Sequence, residues 1–471
     1  MAEAATQSEL TVLDLESLTA DVVAMAMKAG ASDAEAVVRE GDEFSVNVRM
    51  GQVETLKESG SRGLGLRVFL GRPAAAGKQS ASASTSDLTS DGIRQLVEGA
   101  LALAKVTEAD PFAGLPETAE FGSIEGDLHL YYEDVYSLPG PERIEWARRC
   151  EAAALAADPR IANSDGGSFD AATGRKVLAN SRGFVGGYRT SYAGVSAAPI
   201  AADADGRMQR DGWWSSARRM VDVESPEAVG VEAARRALRR LGARRVPTQR
   251  VPIVFAPEVA RSLIGSVFEA ASGDAIWRHA SFLAGKLGEQ IGAESLRLID
   301  DNTMMLPSGV GGFGTSPFDG EGLPSLRTVV VENGVLRNYL LNTYTARKLG
   351  MKSTHNASRG LAGTPGIGCG NLYLEPGTQT PEEIIAAVTT GLYVTSLMGF
   401  GTNIVTGDYS RGATGLWIEN GQLTHAVEEV TIAGNLGEML RNVTAIGNDL
   451  VFRGSVACPT LRIDGMTIAG A

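Results

Sequence analysis

The sequence has few histidines and cysteines, the side chains that most often bind zinc in proteins. None of the four histidines has a second histidine within six residues, which excludes two histidine ligands on consecutive turns of one helix. The three cysteines are also far apart and form no C-x-x-C pair, so neither a cysteine zinc cluster nor a thioredoxin-like motif is indicated. Sparse, unpaired cysteines suit reduced thiols in a cytosol. These residues are His129, His279, His355 and His425, and Cys150, Cys369 and Cys458.

Long hydrophobic runs are missing as well. No segment approaches the roughly 18 apolar residues that indicate a membrane-spanning helix. The N-terminal sequence MAEAATQSELTVLDLESL is acidic and lacks the basic and apolar regions of a signal peptide. We therefore expect a cytoplasmic protein that does not bind membranes.

Basic residues are fewer than acidic ones, with 43 Lys and Arg against 56 Asp and Glu, which gives a formal net charge of −13. This balance disfavours nonspecific binding to nucleic acid or to anionic lipid. The exception is Arg235–Arg250, which holds seven arginines in RRALRRLGARRVPTQR. Because no aromatic pattern supports a nucleic-acid patch, we interpret it as a solvated helix face that runs into a linker. Direct binding to nucleic acid is not expected.

Glycine is abundant, at 57 of 471 residues, whereas aromatic residues make up 6%. A chain of this length is expected to form two or three domains, and many glycines favour a turn-rich β component. The sequence predicts an α+β fold with an α/β N-terminal half and a β-rich C-terminal domain with antiparallel hairpins. The predicted domains are an N-terminal α/β domain (1–110), a middle α/β domain (111–245) and a C-terminal β-rich domain (246–471).

Apolar periodicity and turn residues predict the main elements. Asn-Gly stands between strand-like runs at Asn333-Gly334 and Asn420-Gly421, which predicts two hairpins with type I′ turns. Ser90 is the predicted N-cap of the second helix. The predicted helices cover 14–29, 91–106, 141–157, 226–241 and 257–271, and the first predicted strands cover 34–39, 44–50 and 63–69.

Motifs for covalent or nucleotide chemistry are weak. The sequence contains no G-x-S-x-G nucleophile motif. Gly309–Gly314 matches G-x-G-x-x-G, but Thr-Ser-Pro follows it, so no helix N-terminus can receive a pyrophosphate and a flexible loop is predicted. Cys458 is either a core residue or a nucleophile that would need a base within hydrogen-bonding reach.

The C-terminal third carries the most specific pattern. It reads GFGTNIVTGD over Gly399–Asp408, continues as YSRGATGLWIENGQLTHAVEEVTIAGNLGEML, and ends with CPTLRIDGMTIAG from Cys458. This pattern resembles the C-terminal domain of the TldD/PmbA metalloprotease family, and in particular its PmbA branch, also called TldE. The resemblance covers nearly the whole chain and is strongest over about 250–471.

This resemblance implies a function. In the family, a TldD-like and a TldE-like chain form a cytosolic heterodimer that cleaves peptides, including precursors of peptide antibiotics and unfolded segments. The TldD branch carries a helical His-Glu-x-x-x-His motif and a cysteine near the C-terminus. Matching the patterns puts Ile264 and Glu269 at the two histidine positions, Gly265 at the glutamate and Ile446 at the cysteine. The resemblance therefore implies no metal and no catalytic residue in this chain, and zinc in the partner subunit.

A polar segment, Asp408–Arg411, lies between glycines and strand-like runs. It is either a structural loop, with Arg411 paired to a nearby carboxylate, or part of a substrate groove shared with the partner. Asp408, Ser410 and Arg411 are the candidate groove residues.

Three functions follow from these observations. The first is a TldE-like subunit that supports substrate binding and assembly in a two-component metalloprotease, with a homodimer possible when the chain is alone. The second is a non-proteolytic interaction protein of the DNA gyrase modulator type. The third is a self-sufficient hydrolase with an unrecognised site.

Overall fold

The computed structural model of the protein describes residues 14–71 and 77–470. Most of the acidic N-terminal sequence used to predict the absence of a signal peptide lies outside these residues. The elements up to residue 238 are α1 (Leu15–Lys28), β1 (Asp33–Arg49), β2 (Gln52–Gly71), β3 (Lys78–Thr85), α2 (Ser90–Ala104), α3 (Asp134–Ser137), α4 (Gly140–Ala156), β4 (Ile161–Asn180), β5 (Val185–Ala202), β6 (Met208–Arg210), β7 (Trp213–Ala217) and α5 (Pro226–Leu238).

The remaining elements form the C-terminal region. They are β8 (Gln249–Phe255), α6 (Pro257–Ala271), α7 (Gly273–Trp277), β9 (Leu298–Asp301), β10 (Arg327–Glu332), β11 (Val335–Leu336), α8 (Thr343–Leu349), β12 (Ala357–Ser358), β13 (Gly366–Ile367), β14 (Asn371–Leu374), α9 (Pro381–Ala386), β15 (Thr390–Met398), β16 (Asp408–Glu419), β17 (Gln422–Asn435), α10 (Leu436–Arg441), β18 (Val443–Ile446), β19 (Val456–Ala457) and β20 (Leu461–Ala469).

The N-terminal strands form one antiparallel sheet in the order β3-β2-β1-β4-β5-β6, and β7 also pairs with β5. Strand β1 pairs with β4 from Glu35 opposite Asn180 to Val48 opposite Gly167. The segments predicted as the first and middle domains thus contribute to the same sheet. The domain boundaries themselves stay a prediction.

The strands of this sheet are longer than predicted. The two short strands predicted at 34–39 and 44–50 are one continuous strand, β1, and the strand predicted at 63–69 extends over all of β2. The prediction leaves a break between these two strands at 40–43, but Gly41 lies in the strand where β4 approaches closely. A Cβ atom there would lie 2.4 Å from the carbonyl oxygen of Thr173, so the glycine permits strand contact rather than a turn.

One face of the sheet is covered by helices. Ala36 and Val38 pack with α1 and α2, and further along the same strand Val46 and Val48 pack with α4 and α5. Because side chains alternate between faces, Val37 points to the other face, where it packs in a cluster that includes Phe318 of the C-terminal region. The second face of the sheet therefore meets the C-terminal region.

The helices follow the sequence prediction closely, and α6 has the predicted bounds. The exception is the start of α2, where the N-cap is Thr89 and not Ser90. The Thr89 hydroxyl accepts a hydrogen bond from the Gly92 amide at 3.2 Å, so the cap lies one residue earlier.

The C-terminal region contains two larger sheets. Strands β17, β16, β15, β8 and β20 pair in succession, and β17 also pairs with β20, which closes a ring of five strands. A second sheet has the order β11-β10-β9-β14-β19. At the two predicted hairpins, Asn333, Gly334, Asn420 and Gly421 all have positive φ, between 49° and 76°. This confirms the type I′ turns, and the mixed architecture confirms the α+β fold.

Within the described residues, no helix combines the length and the apolar character needed to cross a membrane.

Candidate functional site

Helix α6 carries the positions that the resemblance matches to a metal motif. Ile264 is buried in the main apolar core of the C-terminal region, beside an apolar cavity of about 20 Å³. Glu269 follows Ile264 by five residues, which places it about 140° further around the helix, and its side chain is exposed. A side chain at Gly265 would meet open space, and Ile446 of β18 belongs to the same apolar core as Ile264. These four positions do not converge on one polar site.

Other parts of the described chain also lack a set of metal ligands. Across residues 14–71 and 77–470, no three His, Cys, Asp or Glu side chains lie close enough to hold a metal ion together. The donor sets of the described chain therefore do not fit a resident zinc ion.

The segment at the start of β16 divides into exposed and inward side chains. Asp408 and Ser410 are exposed. Arg411 turns towards α6, where its Nη1 donates to the hydroxyl of Ser262 at 3.4 Å. The pairing of Arg411 with a carboxylate, predicted from sequence, is absent among the described residues. The structure thus brings Arg411, but not Asp408 or Ser410, to the helix that carries Ile264.

A polar cavity of about 450 Å³ lies between the second face of the N-terminal sheet and the C-terminal region. Strands β1, β4 and β5 form one wall, and the loops at 313–320 and 368–370, with residues 356–359 at β12, form the other. No described residue of α6 lines it. Four cationic side chains reach the cavity, and Asp319 is the one carboxylate among the described lining residues. The cations are Arg39, Lys176, Arg218 and Arg359.

Arg359 forms an ion pair at the rear of the cavity. Its Nη1 lies 2.6 Å from the Glu35 carboxylate, which also lies 3.4 Å from Nη1 of Arg67. All three side chains are at least nine-tenths buried. One carboxylate thus serves two arginines, and the group keeps an excess positive charge.

Arg218 holds the glycine-rich loop at 309–314. Its guanidinium donates to the carbonyl oxygens of Gly311 at 2.9 Å, Gly312 at 2.8 Å and Phe313 at 3.0 Å, and to Leu130 at 3.2 Å. Burial lowers the pKa of Arg218 to about 10, so it stays charged at neutral pH. The G-x-G-x-x-G segment is therefore a loop, as predicted, but one tied down by a buried arginine.

Lys176 and Arg39 are the cations with the fewest partners. Arg39 donates to the backbone carbonyl of Arg359, and the described chain offers Lys176 no hydrogen bond or ion pair. The Lys176 ammonium lies 5.8 Å from the ring centre of Tyr188 and 6.0 Å from that of Phe318. Burial, and next the Arg39 guanidinium, lower the pKa of Lys176 to about 8, so most of it remains protonated at neutral pH.

Buried carboxyl groups surround the cavity. Asp319 accepts hydrogen bonds from the amides of Glu321, Leu323 and Ala357, and burial raises the pKa values of Asp319 and Glu321. Asp300 accepts from Asn356 Nδ2 at 2.6 Å and from the Gly370 amide at 2.8 Å. Burial raises its pKa to about 7.

The cysteines are poor nucleophiles in this structure. Cys458 lies in the apolar core, where burial raises the pKa of its thiol, which supports the structural interpretation of this residue. Cys369 borders the cavity, and burial raises its pKa to about 12. Neither thiol forms an appreciable thiolate at neutral pH.

The arginine-rich segment is only partly the solvated surface that its sequence predicts. Arg235 is exposed and forms an ion pair with Glu232 at 2.7 Å. Arg236, however, is buried against the ring of Trp213, 4.5 Å from its centre, with Glu258 at 3.4 Å. The prediction is wrong for Arg236 because this face of α5 meets Trp213 of β7 and the first turn of α6, which carries Glu258.

Sequence reasoning missed the cavity altogether. Its cations come from β1, β4, the end of β7 and β12, so no local spacing brings them together. The only usable signal is a lysine within the strand-like sequence RKVLAN, where an inward-facing cation is unusual.

Comparison with known proteins gives a consistent relationship. Sequence profiles of the PmbA/TldA metallopeptidases match this chain in order: domain 1 over residues 34–104, the central domain over 133–241 and the C-terminal domain over 248–470. The chain is 38% identical over 448 residues to the metalloprotease PmbA of Escherichia coli O157:H7, which covers 95% of this chain and 94% of that protein. It is 35% identical over 458 residues to the metalloprotease PmbA homolog of Haemophilus influenzae, and the match covers 97% of this chain and 96% of that protein.

Solved structures show the same architecture. A proposed modulator of DNA gyrase from Bacteroides thetaiotaomicron superimposes with a TM-score of 0.87 at 27% identity, over 97% of this chain and 99% of that one. TldE from Thermococcus kodakarensis superimposes with a TM-score of 0.82 at 20% identity, over 96% of this chain and 100% of that one. At that identity the likeness concerns the fold alone.

Proposed function

This chain belongs to the PmbA/TldD metallopeptidase family, within its PmbA/TldE branch, and on that premise we propose that it is the non-catalytic subunit of a two-component cytoplasmic metalloprotease. Its partner is a TldD-like subunit that carries the metal, and the complex cleaves peptides. A zinc ion in that partner would supply the activated water for amide hydrolysis.

The arrangement around α6 is the observation that carries this proposal. The helix presents apolar Ile264 to the core and exposes Glu269, so its side chains cannot form the ligand set of a zinc peptidase. The three thiols, whose pKa values burial raises, offer no alternative nucleophile. The fold of a peptidase family is thus present without the groups that attack an amide, which supports a role in substrate binding and assembly.

The loop between β15 and β16 is the proposed pairing surface. In this loop Phe400 is fully exposed and Val405 is 53% exposed, and Met398, the last residue of β15, is also 53% exposed. An apolar group of this kind on a surface otherwise rich in charge favours a protein partner. We assign it to the TldD-like subunit, with a homodimer forming when that subunit is absent. Apolar contact implies that high salt does not separate the complex.

The same loop connects the pairing surface to the predicted groove residues. The Ser410 amide donates to the carbonyl of Gly401 at 2.7 Å, and the Asn403 amide donates to the carbonyl of Asp408 at 2.8 Å. Asp408, Ser410 and Arg411 would therefore lie beside the subunit junction, where they could contact a peptide held between the two chains.

An interaction protein that acts without proteolysis is the alternative, favoured by the likeness to the proposed gyrase modulator of Bacteroides thetaiotaomicron. Co-expression of the tagged chain with a metal-bearing paralogue, followed by light scattering in 1 M salt, separates the two. The proposed function predicts a complex of one copy of each chain. A monodisperse monomer, with and without the paralogue, would favour the alternative.

A further inference from the structure

The cavity between the N-terminal sheet and the C-terminal region holds positive charge that the described chain does not neutralise. Arg359 and Arg67 share one carboxylate, Glu35, and Arg218 bonds only to backbone carbonyls. The protein as a whole is strongly acidic, so this concentration of cations is local and lies in a concave site. A cleft lined by one sign of charge attracts ligands of the other sign.

Two of the cations are free to receive such a ligand. Lys176 has no hydrogen-bond or ion-pair partner in the described chain, and Arg39 donates only to the carbonyl of Arg359. A partly buried ammonium that forms no ion pair is unfavourable, and a bound anion would offset that cost. The aromatic rings of Tyr188 and Phe318, whose centres are 5.4 Å apart, lie together on one side of the ammonium and offer an apolar surface to the rest of the ligand.

We propose that this cavity binds a carboxylate, and that Lys176 and Arg39 recognise the C-terminal carboxylate of a peptide. The choice of a peptide rests on the proposed function. A monoanion suits the site better than phosphate because Asp319 lines the same cavity and would repel a dianion more strongly. The volume of about 450 Å³ falls within the usual range of small-ligand pockets.

Binding of a labelled hexapeptide of five glycines and a C-terminal leucine tests this inference on the full chain. The peptide is prepared as the free acid, as the C-terminal amide, and as the amide with one internal glutamate. Fluorescence anisotropy should show that the free acid binds about tenfold more tightly than either amide, the difference expected for one charge-assisted interaction. Acetate should compete more effectively than inorganic phosphate.

Variants locate the binding to the cavity. Lys176→Gln and Arg39→Gln should each reduce the preference for the free acid to less than about threefold, and Lys176→Arg should retain it. Lys57→Gln is the matched control, because Lys57 lies on the same sheet with its side chain 70% exposed. Lys57→Gln should bind as the wild-type chain does.

Several outcomes would overturn the inference. Equal binding of acid and amide by the wild-type chain, tighter binding of phosphate, or an unchanged preference in Lys176→Gln would each contradict it. The glutamate-bearing amide binding as well as the free acid would contradict recognition of the peptide terminus. Pairing of Lys176→Gln with the TldD-like subunit is measured on the same samples, so failure of the subunit function is seen separately from failure of the cavity to bind.

Discussion

Glu35 of β1 forms an ion pair with Arg359 of the C-terminal region at 2.6 Å, and each side chain is 1% exposed. The pair joins the two halves of the molecule at the rear of the cationic cavity. Because Glu35 is also 3.4 Å from Arg67, its carboxylate is the shared counter-charge of two buried arginines.

Removing that carboxylate should be costly. Glu35→Gln leaves two guanidinium groups buried without a counter-charge, and we expect a loss of about 3–5 kcal/mol in the free energy of unfolding. Denaturant titration measures it. Glu40→Gln is the control, since Glu40 forms an exposed pair with Arg62 at 2.9 Å and should cost less than about 1 kcal/mol. Equal effects of the two substitutions would contradict the role given to Glu35.

The buried carboxyl of Asp300 should make stability depend on pH in an unusual direction. Its folded pKa, about 7, lies above the model-peptide value of 3.8. The folded state therefore binds a proton that the unfolded state releases between these pH values, and the stabilising contribution of Asp300 is lost as pH rises from 4 to 7. Asp300→Asn removes the group that takes up this proton, so the variant should gain stability relative to the wild-type chain as pH rises.

Unfolding at pH 4.5, 6 and 7.5 checks the prediction for Asp300. Asp205→Asn is the control, because hydrogen bonds from Arg207 lower the pKa of exposed Asp205. The free energy of unfolding of Asp205→Asn should not rise relative to that of the wild-type chain as pH rises. If the free energies of unfolding of Asp300→Asn and the wild-type chain differed by the same amount at all three pH values, the prediction would be contradicted.

Parts of this architecture follow from local sequence, and parts do not. Helix α6 has its predicted bounds because Pro257 at its start and the apolar spacing of its residues are local signals. The Asn-Gly turns are equally local, since their positive φ angles suit few other residues. By contrast, the prediction divides β1 into two short strands around Gly41, because the approach of β4 to this glycine is a contact between distant segments.

The candidate site depends even more on contacts between distant segments, which local sequence does not predict. The family resemblance points to Ile264 and Ile446, and the structure places both in one apolar core. Lys176 carries almost no signal of its own. Its isolation becomes visible only when the C-terminal region is packed against the sheet, because burial and the lack of a counter-charge are properties of the folded chain.

The exposed loop between β15 and β16 gives a test of subunit pairing. Phe400→Asp places a charge on the exposed apolar surface of this loop and should weaken the complex with the TldD-like subunit at least about tenfold, as expected for an aromatic residue central to an interface. Val106→Asp is the control, since Val106 is 79% exposed at the end of α2, far along the chain from the loop. Analytical ultracentrifugation compares the two. Equal effects would place the pairing surface elsewhere.

The metal content of the isolated chain is a further test. Because Ile264 and Ile446 are apolar and buried, we expect well below one zinc ion per chain after mild dialysis. Elemental analysis should be run beside the TldD-like subunit as a positive control. Tightly held zinc near one per chain, lost on substitution of Glu269 or Cys458, would contradict the prediction.

Cleavage of an unfolded peptide tests the central claim most directly. The peptide is incubated with this chain alone, with the TldD-like subunit alone, and with both, each with and without a metal chelator. The account predicts that the peptide survives with this chain alone and is cut by the mixture in a chelator-sensitive reaction, faster than by the TldD-like subunit alone. Chelator-sensitive cleavage by this chain alone would contradict it.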